Sequence, residues 1–279
     1  PLCGAMISSA CGTSTFSGSG TDSGIEAASD GSTPDGSADA GGPFCTALSP
    51  KPFFCADFDQ PDIHDGYLLG ESHVVFDSVA DGGTVDAAPS DDSPPFKLVS
   101  VLSNGDVGGV AQLDTETGIP SARDVGMFHL DLDFMIESTE NLDPNTAMTI
   151  FNLTVMSVGF GVGDAAMPQS VLVDCELYKN KVQITVGVLS VTFGGPPTPG
   201  TWAHAHIDLA LDGRKSSAVI AGVPNTLSNV TNAHATTAAP RVRLGLASDA
   251  GNQAVTISFD NVELRYDTSD AGDDGGDGG

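Results

Sequence analysis

The chain has 279 residues, of which 40% are hydrophobic, and its formal net charge at pH 7 is −27. This length is enough for one large domain with a substantial core, and all-β single domains of this size are common. The negative charge repels phosphate backbones and anionic lipid headgroups, so we expect no nucleic-acid binding and no membrane binding through basic patches. Cations are the natural small partners of such a surface.

The first residues are typical of the end of an export signal. A short apolar run over residues 1–7 leads into Ser8-Ser9-Ala10-Cys11, a small-x-small pattern that permits cleavage before Cys11. Ala10-Cys11 fits a bacterial lipobox, in which the Cys is lipidated, but Ser8 stands where a Leu is usual. Lipid anchoring through Cys11 and simple secretion both stay open. Either one predicts an extracellular or cell-surface location, with membrane contact only through a lipid anchor.

Composition divides the chain into four parts. Residues 1–11 are the signal-peptide remnant, and residues 12–43 are a Ser-, Gly- and Asp-rich stretch with almost nothing to bury, which is typical of a disordered tether. Residues 44–266 contain all the strand-like runs and predict one β-sandwich domain. Residues 267–279 are acidic and Gly-rich, so we expect a disordered tail.

The cysteines of the predicted domain fall into two classes. Cys45 and Cys55 lie in one Pro-punctuated segment, and in an exported protein such a pair most economically forms a disulfide, worth about 3 kcal/mol in the chain-entropy model. A zinc site would need further ligands, and none are close in sequence. Cys175 shares the alternating phase of the apolar Val173 and Leu177, so we expect a buried, free thiol.

About eleven strand-like runs, and no convincing amphipathic helix, lie between Asp59 and Tyr266. Loops rich in Gly, Pro and Asp separate them, notably 86–95 and 194–200. The pattern predicts an all-β domain. The expected strands are 73–79, 96–102, 107–113, 127–136, 147–156, 170–178, 181–193, 202–211, 216–221, 241–247 and 254–266.

The run 127–137 places acidic side chains on one face of a strand. Its even-numbered positions from 128 to 136 are apolar and face the predicted core. The opposite, exposed face carries His129, Asp131, Asp133, Met135 and Glu137. A solvated strand face is the simplest interpretation, and a binding surface is the functional one.

The run 202–211 is the clearest strand of a β-hairpin. Its odd-numbered positions from 203 are apolar, and the chain turns at 212–213 before returning to 222. The wet face carries Trp202, His204, His206 and Asp208. His204 and His206 could chelate a metal, although a surface pair explains them as well. The ligand-binding candidates of the whole chain are His129, Asp131, Asp133, Trp202, His204 and His206.

The apolar phase of the last run slips by one residue at Asp260-Asn261. A β-bulge produces such a slip, and bulges re-aim side chains, so Asp260 is expected to turn toward a shared ligand.

The order of these features resembles the concanavalin-A-like lectin/glucanase superfamily, including laminin-G-like modules. The matching region opens with Asp57-Phe58-Asp59, has a late strand that begins at Trp202, and closes with the strand 258–265. With its leader, it is also similar to exported lipoprotein-like sandwiches of Gram-negative bacteria. The resemblance covers roughly residues 53–266. It implies a two-sheet antiparallel jelly roll with a concave face on which relatives bind or cleave polysaccharide.

The resemblance also implies a metal site. Glucanase relatives hold a structural calcium between the opening and closing strands, which would fall here on Asp57, Asp59 and Asp260. The alternative is that these side chains cap turns or face water.

The glucanase catalytic motif is not intact. Retaining glycosidases of this fold use Glu-x-Asp-x-(x)-Glu on one strand. Here Asp131 stands at the nucleophile position, Met135 or Ile136 at the general-acid position, and Glu137 lies about 13 Å from Asp133 along a strand. The sequence therefore leans away from catalysis. If the protein is an enzyme, Asp131, Asp133 and Glu137 are the candidates.

Three functions stay open. We favour an exported, monomeric binding module for an extracellular glycan or a surface protein. The alternatives are a divergent polysaccharide hydrolase or lyase of the same fold, and a structural surface protein without a small ligand. One Trp and three Tyr are few for a deep polysaccharide groove, in which aromatic rings stack on sugar rings.

Overall fold

The computed structural model describes residues 43–64, 67–69, 73–80, 82–91, 95–103, 109–117, 125–160, 167–186, 189–211, 215–227 and 237–268. The predicted signal remnant with Cys11, the tether up to residue 42 and the tail from residue 269 lie outside these ranges. Within the described ranges, no helix has the length and apolar character needed to cross a bilayer.

One short helix and sixteen strands make up the described part of the chain. In order they are α1 (Pro43–Ala47), β1 (Phe54–Ala56), β2 (Tyr67–Leu69), β3 (His73–Ala80), β4 (Gly83–Pro89), β5 (Phe96–Leu102), β6 (Val110–Thr117), β7 (Val125–Glu140), β8 (Met148–Phe160), β9 (Met167–Leu177), β10 (Val182–Val186), β11 (Leu189–Thr192), β12 (Trp202–Ala210), β13 (Ser216–Ile220), β14 (Val223–Leu227), β15 (Thr237–Ala247) and β16 (Ala254–Thr268).

The strands form two antiparallel sheets. The nine-stranded sheet has the order β14-β13-β12-β7-β16-β1-β2, with β5 also paired to β16 and β4 paired to β5. The seven-stranded sheet has the order β11-β10-β9-β8-β15-β6-β3. Two antiparallel sheets in one all-β domain confirm the predicted two-sheet antiparallel β-sandwich.

The core lies between the inner faces of the two sheets. On β7 the alternation is regular: Phe128, Leu130, Leu132 and Phe134 are at most 1% exposed, while the residues between them are half-buried. The Phe134 ring packs against Phe151 of β8 in the other sheet, with 6.2 Å between ring centroids. The apolar face of every central strand is therefore removed from water by the opposite sheet.

Four strands of the structure are absent from the sequence prediction, and one predicted strand is divided. β1 and β2 have three residues each, which is too short for a periodic pattern. β4 overlaps the loop expected at 86–95, and β14 was also missed. Both contain a proline (Pro89 and Pro224) and lie at sheet edges, where a missing N–H is tolerated.

Two predicted strands have other bounds in the structure. The run 181–193 is a hairpin of β10 and β11. β16 continues to Thr268, past the predicted end at 266.

Both cysteine predictions within the domain are confirmed. Cys45 in α1 is bonded to Cys55 in β1, with 5.8 Å between their Cα atoms. Cys175 on β9 is fully buried and free. Burial raises the pKa of its thiol well above the ordinary value, and the charges of Glu176 and Asp174 add to this rise, so the side chain stays protonated.

A glycine on β15 provides a test of how tightly the seven-stranded sheet is assembled. β15 is irregular between Leu244 and Ala247, and Gly245 there has a φ of 120°. A Cβ at this position would lie 2.2 Å from the carbonyl oxygen of Ala111 on β6. We predict that Gly245→Ala lowers the free energy of unfolding by about 2–4 kcal/mol, because the two strands must separate.

Gly222 is the matched control. Its φ is 79°, but a Cβ there would meet no heavy atom of the described chain within 4 Å. Gly222→Ala should therefore cost only about 1 kcal/mol of backbone strain. Urea denaturation of both variants measures the difference, and equal losses would contradict the close packing of β15 on β6.

Candidate functional site

Histidine and aspartate side chains alternate on the outer face of the nine-stranded sheet, where β7 pairs with β12. The register sets three pairs directly opposite each other: His129 with Asp208, Asp131 with His206, and Asp133 with His204. Because every second residue of a strand points to the same face, the three pairs form one continuous row. We refer to these six residues as the His–Asp ladder.

Asp208 joins two imidazole rings at one end of the ladder. Its Oδ1 atom lies 2.7 Å from Nδ1 of His129 and 3.0 Å from Nε2 of His206. Its Oδ2 atom accepts a hydrogen bond of 2.8 Å from the Ser217 hydroxyl on β13. The far nitrogen of His129, Nε2, lies 3.2 Å from Asp267 Oδ2 on β16. β13 on one side and β16 on the other therefore hold this end of the ladder in place.

Asp131 plays the same bridging role in the middle. Its Oδ1 atom lies 2.7 Å from Nδ1 of His206 and 3.2 Å from Nε2 of His204. Nδ1 of His204 in turn lies 2.9 Å from Asp133 Oδ1, and Asn261 donates to Asp133 Oδ2 at 3.0 Å. The ladder is thus hydrogen-bonded from one end to the other.

The neighbouring charges shift the pKa values of two ladder residues, His206 and Asp208. The hydrogen bond to Asp131 raises the pKa of His206 above its ordinary value; burial opposes this, and the charges of Asp131 and Asp208 reinforce it. Burial raises the pKa of Asp208, but hydrogen bonds from His129 and Ser217 and the nearby imidazoles outweigh it, and the net pKa lies below the ordinary value. At this pair the structure consequently favours an anionic Asp208 beside a protonated His206.

A pocket of about 770 Å³ opens beside the ladder. Its lining includes Phe53 and Tyr266, whose rings meet edge to face, with 5.5 Å between centroids, and pack partly against the core. In the sheet register Tyr266 lies opposite the buried Phe128. Arg265 contacts Glu263, with Nε 3.0 Å from Oε1. The full lining comprises Pro50, Lys51, Pro52, Phe53, His129, Asp131, His206, Glu263, Arg265, Tyr266, Asp267 and Thr268. The pocket lining therefore combines two partly buried aromatic residues with hydrogen-bonding groups.

The structure brings together most of the predicted ligand-binding residues. His129, Asp131 and His206 line the pocket, and Asp133 and His204 continue the ladder beyond it. Trp202 lies on the same face but is not part of the pocket lining; it is half-buried, and its Nε1 has no hydrogen-bond partner among the described residues.

The expected exposure of Met135 is wrong. Met135 is 4% exposed rather than facing water with its neighbours. It lies between Trp202 on β12 and Ser258 on β16 in the sheet register, away from the strand edge, so adjacent strands flank it on both sides.

Glu137, a catalytic candidate, is held apart from the ladder. Its carboxylate lies 2.7 Å from Lys97 Nζ on β5 and accepts a hydrogen bond from the Ser258 hydroxyl. Burial raises the pKa of Glu137, but these two hydrogen bonds and the charge of Lys97 outweigh burial and lower it overall. Asp131 and Asp133 are instead bonded to histidines. The three carboxylates do not share one site.

The three predicted metal ligands do lie near one another. The bulge predicted at Asp260-Asn261 is confirmed by a register shift after Asp260 and by the φ of 51° at Asn261. Asp57 and Asp260 are 2% and 3% exposed, and Asp59 is half-buried. Burial raises the pKa of Asp260 to about 8, and the charges of Asp59, Asp57 and Asp133 add to this, against the opposing hydrogen bond from Asn261.

This acidic cluster fits a cation in its chemistry. Asp57 Oδ2 accepts a hydrogen bond from the Cys45 amide at 3.4 Å, but Oδ1 is buried and has no partner among the described residues. Oxygen-only donors without a compensating positive charge are what calcium binds. The oxygens of the three carboxylates are not all within 4.8 Å of one another, so a shared ion would need the side chains to move closer together.

Several residues of the ladder and the pocket were not among the sequence candidates. Asp208 was assigned to the wet face of its strand, but its position opposite His129 depends on register. Glu263, Arg265 and Asp267 alternate on β16 with buried residues, a weak signal that many surface strands share. Lys51 lies in a loop, and no sequence pattern marked it as a binding residue.

No protein-family model matches the chain, and no characterised protein sequence matches it. Among solved structures, the cellulose-induced protein Cip1 is similar over 70% of this chain and 93% of its own, with a TM-score of 0.45 and 12% identity. A family 7 alginate lyase, A1-II′, matches 77% of this chain and 95% of its own, with a TM-score of 0.43 and 9% identity. The carbohydrate recognition domain of Emp46p matches 69% and 88%, with a TM-score of 0.41 and 9% identity.

Proposed function

We propose that this protein binds an oligosaccharide in the pocket beside the His–Asp ladder. The observation that carries the proposal is a pocket whose lining includes the partly buried aromatic residues Phe53 and Tyr266 together with the polar groups of His129, Asp131 and His206. Sugar rings present an apolar C–H face and a rim of hydroxyl groups, so they need both kinds of surface at once. Carboxylates and imidazoles accept and donate hydrogen bonds to such hydroxyls.

The charge of the pocket selects among sugars. Lys51 and Arg265 are its cationic side chains, and Asp131, Glu263 and Asp267 are its carboxylates. Arg265 is paired with Glu263, and Asp131 and Asp267 contact imidazole rings, so the lining counts three carboxylates against two basic side chains. A polyuronate would meet this negative charge and the acidic surface of the whole chain, so we propose a neutral or amino-bearing sugar as ligand.

Binding is favoured over polysaccharide hydrolysis because the carboxylates do not form a catalytic pair. Glu137 is neutralised by Lys97, and Asp131 is bonded to two imidazole rings. A purely structural role is disfavoured by the pocket itself, because a surface without a ligand has no need of a cavity of about 770 Å³ lined by polar groups.

We predict that Tyr266→Ala weakens oligosaccharide binding about tenfold, because one wall on which a sugar ring packs is lost. Isothermal titration with neutral β-glucan and amino-sugar oligosaccharides measures the effect, and alginate oligosaccharides serve as the polyuronate comparison. Tyr178→Ala is the matched control, since Tyr178 contacts Glu176 and Lys181 on the other sheet and not the pocket.

Phe53→Leu is a second pocket variant that keeps apolar volume and removes the ring. It should weaken binding in the same direction while leaving the circular dichroism spectrum unchanged. Binding that is equally strong in Tyr266→Ala, Phe53→Leu and Tyr178→Ala would place any sugar site elsewhere. Preference for alginate over neutral sugars would contradict the charge argument.

We further propose that Asp57, Asp59 and Asp260 hold a structural calcium ion between β1 and β16. The unpartnered oxygen of Asp57 and the burial of Asp260 support this assignment. Bound there, calcium would supply the positive charge that the three carboxylates lack and would connect the two ends of the described domain.

We predict that 10 mM Ca²⁺ raises the melting temperature by about 3–10 °C over the protein in chelator, for a dissociation constant of about 0.1–1 mM. Asp260→Asn should abolish this rise, yet it should melt above the native protein in chelator, because Asn avoids the cost of burying a carboxyl group whose pKa is raised to about 8. Asp143→Asn, on an exposed loop, is the matched control. An equal calcium effect in both variants would contradict the site.

We propose that the protein acts outside the cell as a monomer. The Cys45–Cys55 disulfide supports an oxidising location. Bacterial origin and lipidation of Cys11 remain predictions from the leader sequence alone.

A further inference from the structure

We propose that His129, His206 and Asp208 bind a divalent transition-metal ion of the zinc type at the pocket end of the His–Asp ladder. Their ligand atoms lie within 4.8 Å of one another, the one such group of three among the described residues. This site is separate from the proposed calcium cluster, and it does not depend on the proposed binding of a sugar.

The distances suit a small cation with short bonds. His129 Nδ1 and His206 Nε2 lie 2.7 and 3.0 Å from the same oxygen of Asp208. In a tetrahedral zinc site with bonds of about 2.0–2.2 Å, neighbouring ligand atoms are roughly 3.3 Å apart. Zinc would therefore replace two N–H···O hydrogen bonds with only small outward movements of the rings.

Each ligand is held on its far side by another polar group. His206 Nδ1 lies 2.7 Å from Asp131, and His129 Nε2 lies 3.2 Å from Asp267. Ser217 donates to the second oxygen of Asp208. A carboxylate behind a ligating histidine fixes its orientation and increases its basicity, and this arrangement accompanies most histidine ligands of metals. A surface cluster formed by chance would not be expected to have all three ligands supported in this way.

The donor set and its position define the class of ion. Two imidazoles and one carboxylate suit zinc and neighbouring first-row metals, whereas calcium and magnesium prefer oxygen donors alone. The ligand side chains are 24%, 32% and 23% exposed for His129, His206 and Asp208, so an ion can enter without unfolding the sheet. His129 and His206 line the pocket, which leaves an open coordination position for water or a ligand.

The test is titration of the untagged full chain, stripped with chelator and dialysed into 5 mM Ca²⁺, with ZnCl₂ by calorimetry and with CoCl₂ by visible absorption. We expect one zinc ion per chain at micromolar or tighter affinity and the absorption of tetrahedral cobalt. Asp208→Asn and His129→Gln should weaken zinc binding at least 100-fold. Asp267→Asn, which removes only the support behind His129, should weaken it about tenfold.

His204→Gln is the matched control, because His204 belongs to the ladder but not to the three ligands. It should leave the affinity within about threefold of the native value. Circular dichroism and melting temperature establish that each variant is folded, and Ser217→Ala gives a milder substitution if Asp208→Asn is not. Absence of stoichiometric zinc binding, or equal losses in His204→Gln and Asp208→Asn, would overturn the proposal. The ladder would then be a row of hydrogen bonds without a metal site.

Discussion

The pairing of β7 with β12 on one side and with β16 on the other determines what the outer face of the nine-stranded sheet can do. It sets every histidine of the ladder opposite an aspartate, and it brings Asp267 and Asn261 of β16 against the two ends of the row. The same alternation drives Phe128, Leu130, Leu132 and Phe134 into the core. Because a one-residue slip would exchange the two faces of the strand, burial of these apolar side chains enforces the register that builds the polar site.

The bulge at Asp260-Asn261 connects the ladder to the acidic cluster. The extra residue lets Asn261 reach Asp133 on one side, while Asp260 turns into a buried position near Asp57 and Asp59. Within a chain of net charge −27, the structure therefore gathers carboxyl groups at two separate places, the ladder on β7 and β12 and the cluster of Asp57, Asp59 and Asp260. At the ladder, histidines offset this charge. At the acidic cluster no described side chain does so, which is why a bound cation is the natural complement there.

Periodicity predicted the fold class, the core residues of β7 and β12, and the bulge, because each depends on a local pattern. The disulfide was predicted from the proximity of its two cysteines along the chain. Periodicity did not predict β4 and β14, whose prolines and small residues form strands only because a neighbouring strand offers hydrogen bonds at the edge. It placed His129, Asp131, Asp133, His204 and His206 on wet faces but could not pair them. The roles of Asp208, Tyr266 and Lys51 follow from register and from a loop, which no one-dimensional pattern encodes.

The central claim is that β7 and β12 pair with His129 opposite Asp208 and Asp131 opposite His206. Backbone NMR cross-peaks between protons of facing residues measure this register in solution. The account predicts contacts between 129 and 208 and between 131 and 206. Contacts between 129 and 207 or 209 instead would shift the pairing by one residue, dissolve the ladder and contradict the site built on it.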